Sequence, residues 1–215
     1  MKSLNQYIKE KLIINKYYHD NTIVVKSFDK LRKIIEDRYE KLGPGTKQDP
    51  IDFNDIDVSN MDSFYSSNRD IGIFEETKFK YIDISDWDVS NVKSMRRMFY
   101  VCEELESVGN ISTLNVSKVT DMSFTFGDCE SFNQDLSSWN VSSVTNMYGM
   151  FFGCASFNQD ISSWDVSNVG YMTAMFSGCK SFNKDISNWD VSKVKNNMVM
   201  FRNCPIKDEY KPKFK

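Results

Sequence analysis

The chain has 215 residues, 40% of them apolar and 27% charged, with few prolines and glycines and a net charge of −3. That mixture is globular and allows one or two domains with a buried core. The charge is uneven: residues 1–50 carry a net +4, residues 51–205 a net −9 and the last ten +2, and an acidic body sets nucleic acid aside as its ligand.

Residues 1–21 form the first segment. They hold no apolar run of secretory length and no small-residue cleavage site. No lipobox cysteine is present, since the first cysteine is Cys102. Leu4, Tyr7, Ile8 and Leu12 fall at helical spacing, which predicts a short amphipathic helix able to dock on a partner, on a membrane or on the rest of the protein. The opening Met1-Lys2-Ser3-Leu4-Asn5-Gln6-Tyr7 resembles leaders of proteins from tailed phages of gut Bacteroidetes. The expected location is the cytoplasm of the producing cell or a virion, with a cell surface reached only by a non-classical route.

Residues 22–50 read as an N-terminal cap and link. Thr22–Lys26 is a strand candidate. Ser27 is placed to cap a helix that has Asp29 in its first turn, Phe28, Leu31, Ile34, Ile35 and Leu42 on one stripe, and Gly43-Pro44-Gly45 as its stop. A stack of repeats needs its first unit covered, and such a helix does that.

Residues 51–205 are repetitive. Units of 25 residues start at Leu114, Trp139 and Trp164, and another begins at Trp189; the unit at Trp87 has two extra residues and the degenerate one at Ile56 has six. Columns are sharp: Val89, Val116, Val141, Val166 and Val191; Met95, Met122, Met147 and Met172, ending at Asn197; Phe99, Phe126, Phe151, Phe176 and Phe201. Phe74 can fill the phenylalanine column in the first unit, which puts its surplus near Glu75–Lys80. All five cysteines share one column, Cys102, Cys129, Cys154, Cys179 and Cys204. A unit this short buries its apolar side only against copies of itself. The expected fold is an α/β repeat solenoid of about six units, with short parallel strands and short helical turns. The strand is expected in Asp-Ile-Ser-x-Trp-Asp-Val-Ser and the helical turn in Met-x-x-Met-Phe, where apolar residues recur at i, i+3 and i+4.

As they stand at Trp139–Ser163 and Trp164–Ser187, the repeats resemble the BspA-like leucine-rich repeat of bacterial surface proteins, also found in mycoplasma and Listeria surface lipoproteins. The resemblance implies a curved solenoid that binds proteins or surfaces, without catalysis. Members of that family on cell surfaces carry a leader, which residues 1–21 lack.

Chemistry-bearing types can be weighed column by column. One cysteine per unit with no C-x-x-C pair reads as a buried ladder of free thiols before disulfides or zinc, and free thiols favour a reducing compartment. Asp135, Asp160 and Asp185, with Asn133, Asn158 and Asn183, read as acceptors for turn N–H groups before a calcium site. The sequons at Asn110, Asn115 and Asn140 are by-products of the repeat. The lone histidine, His19, has no nucleophile that the sequence places beside it, and no phosphate loop is present. No cofactor is expected.

What varies from unit to unit is surface. Arg96, Arg97, Tyr148, Thr173, Lys193 and Lys195 stand at varying positions and are the candidate protein-binding residues; Arg and Tyr are types enriched in binding hot spots. The tail, residues 206–215, is short and charged. It leaves little to cover the last unit, so three outcomes stay open: the tail caps that end, Asn197 and Arg202 make it tolerably polar, or a homodimer forms through it. The expected role is a non-enzymatic protein-binding scaffold, adhesin-like or adaptor. The alternative is a structural component of a larger assembly such as a phage particle, docked through Leu4, Tyr7, Ile8 and Leu12.

Overall fold

The computed structural model describes residues 22–214; the docking helix expected near the N-terminus lies outside them, as does His19. Ser27 sits in extended backbone (φ −144°, ψ 146°) and its hydroxyl oxygen accepts from the Lys30 N–H at 3.4 Å, starting helix α1, Phe28–Leu42. Gly43 stops it at φ 75°, its N–H on the Tyr39 carbonyl at 2.8 Å. Leu31 and Ile35 are buried, and Phe28 and Ile34 pack partly covered against the core. Leu42 departs from the expected stripe and is 60% exposed. Glu40 and Lys41 are exposed too, so the last turn runs past the core on every side. Tyr39, one turn earlier, meets Phe79 edge-on at 5.1 Å instead.

The strands are two residues each. β1 (Ile23–Val24) pairs in parallel with β3 (Ile56–Asp57), and β2 (Ile51–Asp52) with β6 (Ile82–Asp83). β4 (Tyr65–Ser66) and β5 (Ile71–Gly72) form an antiparallel hairpin. That hairpin holds the surplus of the first repeat, upstream of the Glu75–Lys80 stretch where spacing placed it. Phe74 decides the matter: it stacks on Phe99 at 5.2 Å and so occupies the phenylalanine column, leaving the extra residues before it.

From Ser94 onward, successive repeats pair in parallel through single bridges, Ser94 with Asp121, then Asn146, Tyr171 and Asn196. The Met-x-x-Met-Phe segment leaves each bridge as overlapping turns. Met98 N–H returns to the Met95 carbonyl, Tyr100 to Arg97 and Cys102 to Phe99. The alternate N–H groups, of Met95, Arg97, Phe99 and Val101, reach the next repeat at Asp121, Ser123, Thr125 and Gly127, over 2.8–2.9 Å. The segment is therefore a ribbon of turns hydrogen-bonded forward, with no helix in it. Its geometry requires a positive φ every fourth residue: Arg97 (54°) and Val101 (57°), repeated at Phe124 and Asp128, Gly149 and Gly153, Ala174 and Gly178, Val199 and Asn203. The expected strand over Asp-Ile-Ser-x-Trp-Asp-Val-Ser is likewise a pair of turns, closed by Trp139 N–H on the Leu136 carbonyl and Val144 N–H on Val141.

Inside, each column becomes a stack. Phe99, Phe126, Phe151, Phe176 and Phe201 lie 5.5–5.9 Å apart with near-parallel rings. Phe132, Phe157 and Phe182 stack beside them. Each buried indole finds an acceptor one repeat back: Trp139 Nε1 donates to the Ile111 carbonyl at 3.0 Å, Trp164 to Leu136 at 3.0 Å and Trp189 to Ile161 at 3.2 Å. The thiols do the same, Cys102, Cys129, Cys154 and Cys179 donating to the carbonyls of Phe74, Phe99, Phe126 and Phe151 at 2.8–3.0 Å. At the C-terminal end the tail packs back on the end of the unit that starts at Trp164. Ile206 is buried, Lys207 N–H donates to Asn183 Oδ1 at 3.0 Å, and the Tyr210 carbonyl accepts from Ile186 N–H at 3.0 Å.

Candidate functional site

Stacking aligns the varying positions into one surface. Gly149 N–H donates to the Thr173 carbonyl and Ala174 N–H to Met198, both at 2.9 Å, so Tyr148, Thr173 and Met198 succeed one another across three repeats. Among the described residues the exposed large apolar side chains are Val24, Leu42, Tyr148, Tyr171, Met198 and Val199. The last four lie on this run of turns, where buried apolar columns alternate with outward positions. Phe124 extends the patch backwards, meeting Tyr148 at 4.9 Å and Tyr100 at 5.2 Å. Gly149 makes room for it: at φ 57°, an added Cβ there would come within 2.5 Å of the Phe124 ring.

The predicted site residues divide. Tyr148 is 39% exposed, Thr173 is half-buried, and Lys193 and Lys195 are exposed, with Lys193 Nζ on Asn168 Oδ1 at 2.6 Å. Arg96 and Arg97 are engaged within the chain. Arg97 Nε donates to Glu75 Oε2 and Nη1 to Asp70 Oδ2, both at 2.9 Å, while Nη2 donates to Glu75 Oε1 and the guanidinium lies 4.7 Å from the Tyr100 ring centroid. Glu75 is buried, and a buried carboxylate is tolerable only with such a partner. Arg96 lies over Tyr65 at 4.9 Å and donates to Ser123 Oγ at 3.2 Å. The hydroxyl of Tyr65, with Arg97 and Arg96 beside it, holds the Asp70 carboxyl below its usual range. The two arginines thus tie the β4–β5 hairpin to the repeats that follow. The docking residues Leu4, Tyr7, Ile8 and Leu12 lie outside the described residues. Sequence reading passed over Tyr171. Its signal was there: it is the one aromatic in a column otherwise holding Ser94, Asp121, Asn146 and Asn196.

The polar ladders have local tasks. Asp135, Asp160 and Asp185 accept from the N–H of Ser137, Ser162 and Ser187 at 2.8–3.0 Å, and the backbone and side chain of each serine hold the carboxyl below its ordinary value. Asn133 and Asn158 bridge repeats, accepting from the N–H of Asn158 and Asn183 at 2.9 and 3.1 Å. All five cysteines are free, and burial pushes the thiols of Cys129, Cys154 and Cys179 well up. Among the described residues no group of three or more His, Cys, Asp or Glu is arranged to hold a metal ion, and no helix is long and apolar enough to cross a membrane.

The fold and its columns define a repeat protein. The chain belongs to the family described as Mycoplasma protein of unknown function, DUF285, whose model matches residues 47–109, 68–176 and 103–211. No curated protein and no solved structure matches the chain.

Proposed function

We propose that the repeats form a capped α/β solenoid of leucine-rich-repeat-like units, of the BspA-like kind, and that it serves as a non-enzymatic scaffold binding protein through the outward face of its turns. One observation carries the reading: Tyr148, Tyr171, Met198 and Val199 are exposed together on that face, while the buried columns beneath them repeat. Aromatic and methionine side chains at a surface are the composition of a binding patch. Lys193 and Lys195 border the patch and supply steering charge. The family match supports the repeat character and is silent on the partner.

The test is a Tyr148→Asp, Tyr171→Asp variant, with thermal unfolding to show that the stack is intact. Crosslinking in the source cells would identify the proteins held by the wild-type chain. Their loss from the variant is the expected result; an unchanged set would overturn the reading.

A further inference from the structure

The backbone of the stack is polar, and its two ends are treated differently. On the turn ribbon every repeat donates N–H groups to the repeat after it, so the first repeat is left with spare carbonyls and the last with spare N–H groups. The first end is closed by α1: Arg32 Nη1 donates to the carbonyls of Gly72, Ile73 and Glu75 at 3.3, 3.1 and 2.9 Å. At the last end, the residues equivalent to the forward donors are Asn197, Val199, Phe201 and Asn203. Among the described residues none of these four N–H groups donates to a backbone carbonyl, whereas Met200, Arg202 and Cys204 between them close their turns normally. The tail reaches this repeat at Phe201, whose ring centroid lies 5.7 Å from Lys211 Nζ. Met198, Val199, Arg202 and Asn203 stay exposed.

Charge separates this end from the body as well. From Trp189 onward seven basic residues stand against three acidic ones, a net +4, while residues 51–188 hold nine basic and twenty acidic, a net −11. Lys193 and Lys195 lead into the donor row. We propose that the edge from Lys195 to Asn203 is a receptor for an extended acidic protein segment. The segment's peptide carbonyls would accept from Asn197, Val199, Phe201 and Asn203, and its carboxylates would meet Lys193, Lys195 and Arg202. A second copy of this chain is the poorer occupant, because two such ends would oppose donor to donor and cation to cation, and the carbonyl end of another copy is covered by Arg32.

This edge shares Val199 and the bordering Lys193 and Lys195 with the apolar patch but does not include Tyr148 or Tyr171, so a change at Tyr148 tests the two apart. The probe is a fluorescein-labelled peptide of alternating Glu and Val, with alternating Lys and Val as its counterpart, titrated against the full chain. Expected are binding of the acidic peptide alone, weakening with added salt, and loss of about tenfold in affinity in Lys193→Glu, Lys195→Glu. Amide exchange at Val199, Phe201 and Asn203 should slow when the peptide is bound, and Tyr148→Asp should change none of this. Absence of binding, equal binding of the basic peptide, or protection of other amides instead would overturn the proposal. So would a peptide-free dimer that protects the same amides.

Discussion

Arg32 Nη1 donates to the main-chain carbonyl of Glu75 across 43 residues of sequence, at 2.9 Å. The same nitrogen also reaches the Gly72 and Ile73 carbonyls. One guanidinium thus stands in for the repeat that would otherwise precede the first.

Removing it should be costly. Arg32→Ala leaves the part-buried Ile73 and Glu75 carbonyls without a donor, and the expected loss is about 1–3 kcal/mol, read by denaturant unfolding. Arg32→Lys should recover only part, since an ammonium lacks the fork of donors. Unchanged stability in the alanine variant would show that water satisfies those carbonyls equally well.

The aspartate column makes a prediction about pH. The folded-state pKa values of Asp135, Asp160 and Asp185 are lowered by the serine N–H and hydroxyl groups. Their contribution is therefore present above the unfolded-state carboxyl pKa and is lost as pH falls through the folded values. Asn115 and Asn140 fill the matching role at other turns, accepting from Ser117 and Ser142 at 3.2 and 3.1 Å. The triple Asp→Asn variant should keep its turns and melt with less dependence on pH below about 4. An acid limb identical to that of the wild type would refute this.

Thiol reactivity should follow position in the stack. Cys102, Cys129, Cys154 and Cys179 are buried and Cys204 is half-buried, and only the thiolate reacts. A native protein treated with a thiol reagent at neutral pH should modify Cys204 first, and the other four only after denaturant is added. Rapid modification of Cys154 in the folded protein would contradict the described packing.

Positive φ at a fixed column offers a direct trial of the turn ribbon. Gly178 sits at φ 81°, where a side chain is strained, so Gly178→Ala should cost about 1 kcal/mol. Val199, exposed and β-branched at φ 50°, should tolerate glycine without loss. In a helical segment the second change would instead destabilise.

Much of the architecture was legible beforehand because stacking gives each repeat the same surroundings. Burial then asks for the same residue every 25 positions, and Phe126, Phe151, Phe176 and Phe201 show it. Ser27, Asp29 and Gly43 marked the ends of α1 for equally local reasons. The local form of the repeat was misread in two respects: the expected strand is a pair of turns, and the expected helical turn is a ribbon of turns. Met95, Met98, Phe99 and Cys102 have the i, i+3, i+4, i+7 spacing of a helix face, and overlapping four-residue turns place the same residues inward. Hydrogen bonding between repeats, which composition does not carry, chose the turns. Arg97 likewise looked like a free recognition residue until the β4–β5 hairpin brought Asp70 and Glu75 to it. By itself the sequence determined the period, the buried columns and the capping helix, since each follows from side-chain burial and local hydrogen bonding. Only the tertiary structure decided which arginines are occupied, where the apolar face opens and which N–H groups among the described residues find no backbone carbonyl, because those depend on partners that the chain folds in from far along its length.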